Sequence, residues 1–505
     1  MKCLLVDANW QRREIGPRLA LGCLAGAISA LVDVEGMEFL LDGEDIAEIR
    51  RTPSSFWLLE QRFLRAIMEK LQADAEIRLV GVTGWSGAFP RMLRIARCCK
   101  KVASNEVKVV FGGPHVTLHE RFCPPDQSIL RKYECVDYLV VGEGESALRE
   151  LAGRLAARSS SAPSARGVLH SSCLPSSETR RSAKYEGGSR PFWSPFLTDP
   201  DKPTRLVFLV ESGRGCPHRC RFCDEHNIWQ TYRWFSPSYV VDNIERGLSD
   251  FGSHSFRFAD STLTANPGLE PLCREMVNRG LRVAWSSFAH CGEVTEHKAA
   301  LMAEAGCKCV LLGIESGVQS VLDAMNKNTS RGKIESAVGA FRKQGIVVRG
   351  SFILGYPGET PEKAMATIDF ARSLHLDAYA WHAYQPPFRC LWQDSGVTPP
   401  DFEHYELDCP PEVALQMLAR EPALLRDMHA LPRLLALDAS VQPDPQRWPF
   451  QSVQLLSMLR KAMAETPESS AHDLEILIAE EQARRESVAI RDTIEQCLEA
   501  GSAAM

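Results

Sequence analysis

The residues best suited to chemistry lie in one stretch, Val210-Glu-Ser-Gly-Arg-Gly-Cys216-Pro-His-Arg-Cys220-Arg-Phe-Cys223. Its cysteines are spaced C-x3-C-x2-C and directly follow a short apolar run that reads as a strand. Three thiolates on one loop can each bind one iron of a [4Fe–4S] cluster and leave the fourth iron open for a ligand. Gly213 and Gly215 permit a tight backbone turn beside such a cluster, and Phe222 can shield it from water. A structural zinc site fits less well, because it wants four ligands, usually as two paired halves. The chain holds no second C-x2-C, and His218 and His226 lie too close in sequence to resemble a finger. The chain has 17 cysteines. In a large chain without a secretion signal most of these are expected as reduced, buried small side chains, Cys98, Cys99, Cys307 and Cys309 among them.

The loop must be held by a scaffold, and the surrounding sequence alternates strand and helix. Strands are expected at Leu206–Val210, Phe256–Ala259, Val283–Ser286, Cys309–Gly313, Val347–Leu354 and Ala378–Ala383, with helices between them. Such βα units suit an open, partial (β/α)6 barrel with its functional groups at the carboxyl ends of the strands. The first block alternates in the same way. Strands are expected at Cys3–Asp7, Met37–Leu41, Leu79–Val82, Val107–Phe111 and Val136–Val141, and helices at Leu19–Val32, across Ile46–Ala73 and from Phe89 to Val102. That rhythm predicts an α/β, doubly wound, Rossmann-like sheet whose ligand lies beyond the strand carboxyl ends. Between the blocks the chain turns rich in Ser, Pro and Ala, the composition of a linker with little core of its own. The expected organisation is therefore 1–158 for the first domain, 159–203 for the linker, 204–385 for the barrel and 386–505 for a mostly helical region capping the barrel mouth. Helices are expected there at Glu412–Leu437, Phe450–Thr466 and Ala471–Ala500.

The cysteine loop, with Phe222 before its last cysteine, resembles that of radical S-adenosylmethionine enzymes. Phe256-Arg-Phe-Ala-Asp260-Ser261, Glu304 through Gly313-Ile-Glu315-Ser316-Gly317, and Gly350 through Gly355-Tyr-Pro357-Gly358-Glu359-Thr360 resemble the signatures of the second, fourth and fifth strands in the cobalamin-associated branch. The resemblance spans about Leu206 to Gln385. It implies a [4Fe–4S] cluster on Cys216, Cys220 and Cys223, with S-adenosylmethionine held on the open iron through its amino and carboxylate groups. At strand ends, Asp260 can bind the ammonium and Glu315 and Ser316 the ribose hydroxyls, and Phe222, Ser261 and Gly355 are further cofactor-binding candidates. A salt bridge from Glu315 and a plain turn at Pro357-Gly358 are the bland alternatives.

The first block resembles the cobalamin-binding domain that precedes such barrels. The matching pieces are Pro17-Arg-Leu-Ala-Leu-Gly22, Gly112-Gly113-Pro114-His115 and Gly142-Glu143-Gly144-Glu145, whose glycines would let the backbone approach a corrin. The stretch matching the histidine-bearing cobalamin loop of other proteins, Asp7-Ala-Asn-Trp-Gln-Arg12, contains no histidine. Trp10, Arg12, Thr83, Trp85 and Ser86 are the candidates to line the cofactor there, with ordinary packing as the alternative for the tryptophans.

Lys plus Arg total 58 and Asp plus Glu 64, for a formal net charge of −6, so charge gives no case for a nucleic-acid partner. No apolar run approaches the ~20 residues that span a bilayer. The start lacks the basic region and cleavage site of a secretory signal, so a cytoplasmic protein is expected. The resemblance implies an enzyme, foremost a methyltransferase. A 5′-deoxyadenosyl radical removes a substrate hydrogen, and methylcobalamin delivers a methyl group to the carbon. Ring closure or skeletal rearrangement, polar methyl transfer without a deoxyadenosyl radical, and an inactive cobalamin-sensing binding protein are the other readings. The implied partners are a small-molecule or peptide-derived substrate and an electron donor such as flavodoxin or ferredoxin. His382, Tyr384, Arg389 and Trp392 follow the last barrel strand and are candidates to face substrate.

Overall fold

Alternating apolar runs and amphipathic segments, each too short to bury its own face, must stack into layers. The computed structural model describes residues 1–12, 18–41, 45, 55–85, 88–103, 106–157, 168–170, 190–196, 207–354, 356–384, 387 and 428–429. The chain divides into two units, one formed by 1–203 with 388–406, the other by 204–387 with 407–505.

In the first unit the elements run β1 (Lys2–Arg12), α1 (Leu19–Ile28), β2 (Asp33–Leu41), α2 (Ser55–Ala73), β3 (Ile77–Thr83), α3 (Phe89–Ala103), β4 (Lys108–Gly112), α4 (Pro114–Phe122), α5 (Ile129–Lys132), β5 (Tyr138–Val140), α6 (Gly144–Ala156) and β6 (Val168–His170). The sheet order is β2-β1-β3-β4-β5-β6, parallel throughout except for the antiparallel β6. The strand order reverses between β1 and β3, which opens a crevice at their carboxyl ends. Cys3, Leu5, Leu79, Val110 and Val140 from the strands, with Leu21, Ala25, Leu148 and Leu151 from α1 and α6, form the core on one face.

Two expectations need correction here. β1 does not end at Asp7. It continues to Arg12, with a shift in its pairing to β2 between Asp7 and Trp10. The stretch expected as a loop is thus a bulged strand, and the bulge frees Asn9 to serve the crevice. The Ser/Pro-rich segment also has core of its own. Its Val168–His170 closes the sheet edge, and its Trp193 and Phe196 are buried against the domain. A Cβ at Gly22 would lie 2.4 Å from the Trp193 ring, and one at Gly36 would lie 2.2 Å from Phe196. Composition suggested a linker because the anchoring side chains are few and far apart in sequence.

The second unit runs β7 (Phe208–Val210), β8 (Gly213–Arg214), α7 (Glu225–Ile228), β9 (Arg233–Trp234), α8 (Pro237–Phe251), β10 (Ser255–Phe258), α9 (Leu269–Asn278), β11 (Ala284–His290), α10 (Glu296–Glu304), β12 (Cys307–Glu315), α11 (Gln319–Ala324), α12 (Arg331–Lys343), β13 (Val347–Leu354), α13 (Pro361–Ser373), β14 (Ala378–Ala383) and β15 (Met428–His429). Its main sheet is β15-β14-β13-β12-β11-β10-β7, all parallel. Sequential order from β7 to β14 is the arrangement of a partial (β/α)6 barrel. Phe208, Phe256, Phe258 and Trp285 stack along the starting strands, with Phe208 and Phe256 at 5.5 Å and Phe258 edge-on to Trp285 at 5.1 Å. β11 runs past the expected Ser286 to His290, and β12 past Gly313 to Glu315, which carries these two side chains to the strand ends. Within the expected helix Glu412–Leu437, the two described residues form β15, a strand, contrary to expectation. The rest of that region, with Arg389 and Trp392, lies outside the described residues.

Cys99, Cys307 and Cys309 are buried and unbridged, as expected of small apolar side chains, while Cys98 is half-buried.

Candidate functional site

In the second unit the cysteine loop leaves β7 and turns through β8, which pairs antiparallel with β9. A Cβ at Gly213 would meet the Arg233 carbonyl at 2.7 Å. Gly215 has φ +83 and its own Cβ would meet the Thr231 carbonyl at 2.9 Å, so both positions exclude larger residues. Cys220 is buried and Cys216 and Cys223 are half-buried. The loop is clasped to the segment after α11. Arg221 N–H donates to Met325 C=O at 2.9 Å, and Asn326 Nδ2 donates to Arg219 C=O at 2.8 Å. Phe222 packs on Met325, Ile353, Tyr356 and Tyr384. Tyr356 begins a tight turn closed by Glu359 N–H to Tyr356 C=O at 2.9 Å, with Gly358 at φ +82, so Pro357-Gly358 does shape a turn.

The thiol arrangement discriminates between metal groups. Burial pushes the free thiols up, Cys216 to about 11 and Cys223 to about 12, and each thiolate raises its neighbour, so the sulfurs are close enough to interact. Yet among the described residues the sets with donor atoms mutually within 4.8 Å are His119–Glu120–Cys123 and His218–His290–Glu293, not the cysteine triad. A single tetrahedral zinc would draw its sulfurs to roughly 3.8 Å of one another, given Zn–S bonds near 2.3 Å. Three thiols on one loop, not drawn together among the described residues as a single ion would draw them, fit a multi-iron cluster with one open iron. His218 is engaged elsewhere. Its ring stacks on His290 at 3.8 Å, with Nε2 3.5 Å from Glu293.

The expected S-adenosylmethionine contacts divide. Asp260 is buried, and both its oxygens face Ser212: the Ser212 N–H donates to Oδ2 at 2.9 Å and the hydroxyl to Oδ1 at 2.6 Å. Burial raises this carboxyl to about 7, against the pull of those hydrogen bonds. Its carboxylate thus braces the end of β7. Ser261 is half-buried and donates to Glu225, a carboxyl raised by burial. Ser316 is fully buried, shares a 3.0 Å hydrogen bond with the Thr367 hydroxyl and accepts from Val318 N–H, so it ties α13 to the turn after β12. Glu315 has φ +66 and accepts from the Lys327 ammonium at 2.7 Å. The salt-bridge alternative therefore describes its side chain, with a partner in the segment after α11. Gly355 lies outside the described residues, and Tyr384 packs edge-on against Tyr356 at 4.8 Å.

Sequence reasoning passed over Lys327, His290 and Glu225. Gly292 N–H donates to His290 Nδ1 at 3.1 Å, so Nε2 carries the hydrogen, which it donates to Lys327 C=O at 2.9 Å. Burial, with the Lys327 charge, lowers this imidazole to about 3 and keeps it neutral. The position of Glu225, two residues beyond Cys223, was the available signal for it. Nothing local marks Lys327.

In the first unit the strand ends at the β1/β3 crevice are latched together. Asp7 is buried, ion-paired with Arg18 at 2.8 Å, and accepts Asn9 Nδ2 at 2.6 Å. Asn9 Oδ1 in turn accepts Trp85 N–H at 3.1 Å. Gly113, with φ +96, sits where a Cβ would fall 2.4 Å from Thr83 Oγ1. Trp85 is 45% exposed, a flat apolar ring at a polar strand end, and it suits a planar macrocycle. Gly112 and Pro114 are half-buried at the same edge. The other matched pieces turn inward. His115 is fully buried with its ring 4.3 Å from Phe89, so it belongs to the core and offers no side chain to the crevice. Glu143 and Glu145 are buried, Gly142 N–H is taken by Thr117 at 3.0 Å, and a Cβ at Gly144 would meet Leu24 at 2.8 Å. Gly144 thus lets α6 pack closely on α1, and Gly142 ties the turn before α6 to α4. The side chain of Trp10, and Ser86 as a whole, lie outside the described residues.

Fold and thiol geometry together define an enzyme that couples an iron–sulfur barrel to a corrinoid domain. Comparison with known proteins agrees. The Radical SAM superfamily model matches residues 210–371 and the B12 binding domain model matches 57–152. The chain thus carries a radical S-adenosylmethionine domain and a B12 binding domain, which bring a [4Fe–4S] cluster, S-adenosylmethionine and cobalamin as cofactors, and it is similar to the cobalamin-dependent, methyltransferase-like radical S-adenosylmethionine enzymes. It is 28% identical over 389 residues to the uncharacterized methyltransferase PH0819 of Pyrococcus horikoshii, covering 75% of this chain and 78% of that protein. It is 29% identical over 351 residues to the anaerobic magnesium-protoporphyrin IX monomethyl ester cyclase of Rubrivivax gelatinosus, covering 66% of this chain and 61% of the cyclase. The solved structure of the radical S-adenosylmethionine methyltransferase TsrM from Kitasatospora setae shares the fold, with TM-score 0.56 and 20% identity over 75% of this chain and 72% of that one. Among the described residues no helix is long and apolar enough to cross a membrane.

Proposed function

We propose that this chain moves the methyl group of methylcobalamin to an unactivated carbon of a small biosynthetic intermediate. The carrying observation is the three-thiol loop set at the end of the first barrel strand, in a chain that also matches a B12 binding domain. When bound, the cluster, S-adenosylmethionine and cobalamin supply reductive cleavage, hydrogen removal and methyl delivery. Cys216, Cys220 and Cys223 bind three irons. Gly213 and Gly215 let the loop lie flat against β9, and Phe222 covers its inner side. Glu315, held by Lys327 at the end of β12, would offer a carboxylate to the ribose hydroxyls, and Ser261 follows the end of β10. In the corrinoid domain, Trp85, Thr83, Gly112 and Gly113 line the crevice, and the Asp7–Asn9 latch keeps its edge in place. Among the described residues at that edge none is a histidine, so no imidazole among them would hold a bound corrin. A one-electron carrier such as flavodoxin or ferredoxin, in the cytoplasm, completes the system.

The cyclase relative at 29% identity favours one second reading, ring closure on a macrocyclic substrate with the same cofactors. The test is anaerobic. The full chain is reconstituted with iron, sulfide and hydroxocobalamin, reduced, and given S-adenosylmethionine. Bound corrinoid with 5′-deoxyadenosine and a methylated product supports the proposal. A cyclised product without methyl gain selects the second reading. S-adenosylhomocysteine as the only nucleoside product points to polar transfer. Cys220→Ala is expected to lose the cluster absorbance and all nucleoside cleavage. A full cluster spectrum in that variant refutes the ligand assignment.

A further inference from the structure

Among the described residues Lys327 is the one buried lysine, 5% exposed, and the opposite charge of Glu315 offsets the cost of burying it. Its ammonium is 2.7 Å from Glu315 Oε1. It lies 5.7 Å from the centre of the Phe222 ring, the aromatic residue between Cys220 and Cys223. The adjoining backbone is zipped to the cysteine loop through Arg221 to Met325 and Asn326 to Arg219. Room for the pair is made by Gly313. A Cβ there would fall 2.7 Å from Glu315 Oε1 and 2.8 Å from Lys327 Nζ. The His290 Nε2–H bond to its carbonyl fixes the backbone from the other side. Burying a lysine costs several kcal/mol unless a partner compensates, so such a site persists when something uses the charge.

We propose that Lys327 is a positioning residue that holds a fixed positive charge beside Phe222 of the cysteine loop and, offset by Glu315, sets the reduction potential of the cluster. This rests on the cluster assignment made above. A positive charge near a cluster favours its reduced, more negative state and raises the potential, and charge and hydrogen bonding around the cysteines are the levers by which proteins tune such centres. Glu315 works in the opposite sense.

The test is a redox titration of the full reconstituted protein, followed by electron paramagnetic resonance. It omits S-adenosylmethionine, so that no ribose contact enters. Lys327→Met is expected to lower the reduced-to-oxidised ratio at a fixed potential about tenfold, which for a one-electron couple is about 59 mV. Glu315→Gln is expected to move the ratio upward, and the double variant to fall between the two. A merely structural role shifts both single variants in the same direction, or neither, at unchanged iron and sulfide content, and that result overturns the proposal. If Lys327→Met fails to assemble a cluster, Glu315→Gln decides alone, and no rise in potential overturns it. A wild-type chain that takes up no iron and sulfide refutes the cluster assignment itself, whereas a normal wild-type cluster with unmoved variants refutes only the role of Lys327.

Discussion

Gly22 lies within α1, and its ideal Cβ would sit 2.4, 2.7 and 2.8 Å from three atoms of the Trp193 ring. Trp193 is 5% exposed, so the ring has little space to retreat into. Gly22→Ala therefore overpacks the contact and is expected to cost about 1–3 kcal/mol. Trp193→Ala empties a buried aromatic site and is expected to cost about 3–5 kcal/mol. In the Trp193→Ala background the obstacle is gone. The same Gly22→Ala change then gains helix propensity and is expected to stabilise by about 0.5–1 kcal/mol. The sign reversal makes a coupling of about 1.5–4 kcal/mol, far outside the ~0.5 kcal/mol within which independent sites add. Urea titration of the four proteins by circular dichroism measures it. In thermal scans each kcal/mol is worth about 2–4 °C for a unit of this size. Equal costs of Gly22→Ala in both backgrounds would refute the docking of the Ser/Pro-rich segment on the first domain and return it to the status of a linker.

Other substitutions report on the two sites. Asp260 has its folded carboxyl raised to about 7 from 3.8 by burial, so the native state holds more protons between those values. The neutral form's stabilisation is complete below pH ~4 and is lost as pH rises through ~7, by at most about 4 kcal/mol at 1.36 kcal/mol per unit. Asp260→Asn should remove that decline in melts taken from pH 5 to 8, and an unchanged pH slope would count against the burial of this group. Glu60 is fully buried between Arg91 at 3.1 Å and Arg94 at 2.6 Å. Glu60→Ala strands the buried Arg91 and should cost about 3–5 kcal/mol, while Glu60→Ala with Arg91→Met should recover most of it. No recovery in the double variant would show that the loss came from packing.

Much of this architecture is local and so was legible in the chain itself. The barrel strands from Phe208–Val210 to Ala378–Ala383 and the sheet of the first unit follow from apolar runs and turn chemistry at short range. The C-x3-C-x2-C loop is a contiguous segment, and its glycines occupy the tight backbone positions that spacing suggested. What spacing could not supply is the partner each polar group takes. Asp260 and Ser316 lie at the expected strand ends, yet one is turned to Ser212, 48 residues away, and the other to Thr367, 51 residues away. His115 sits in a glycine-rich turn that suggests a ligand contact, but the packing of Phe89 draws it into the core. The Ser/Pro-rich segment looked empty because its anchors, Trp193 and Phe196, gain meaning only against glycines in α1 and β2. Lys327 belongs to no motif and becomes significant only where the folded chain sets it beside Glu315 and Phe222. Periodicity and turn residues act over a few positions, so sequence alone determined the elements and the cluster loop. Desolvation and ion pairing depend on what the completed fold encloses, so only the tertiary structure decided which charges are kept and where they point.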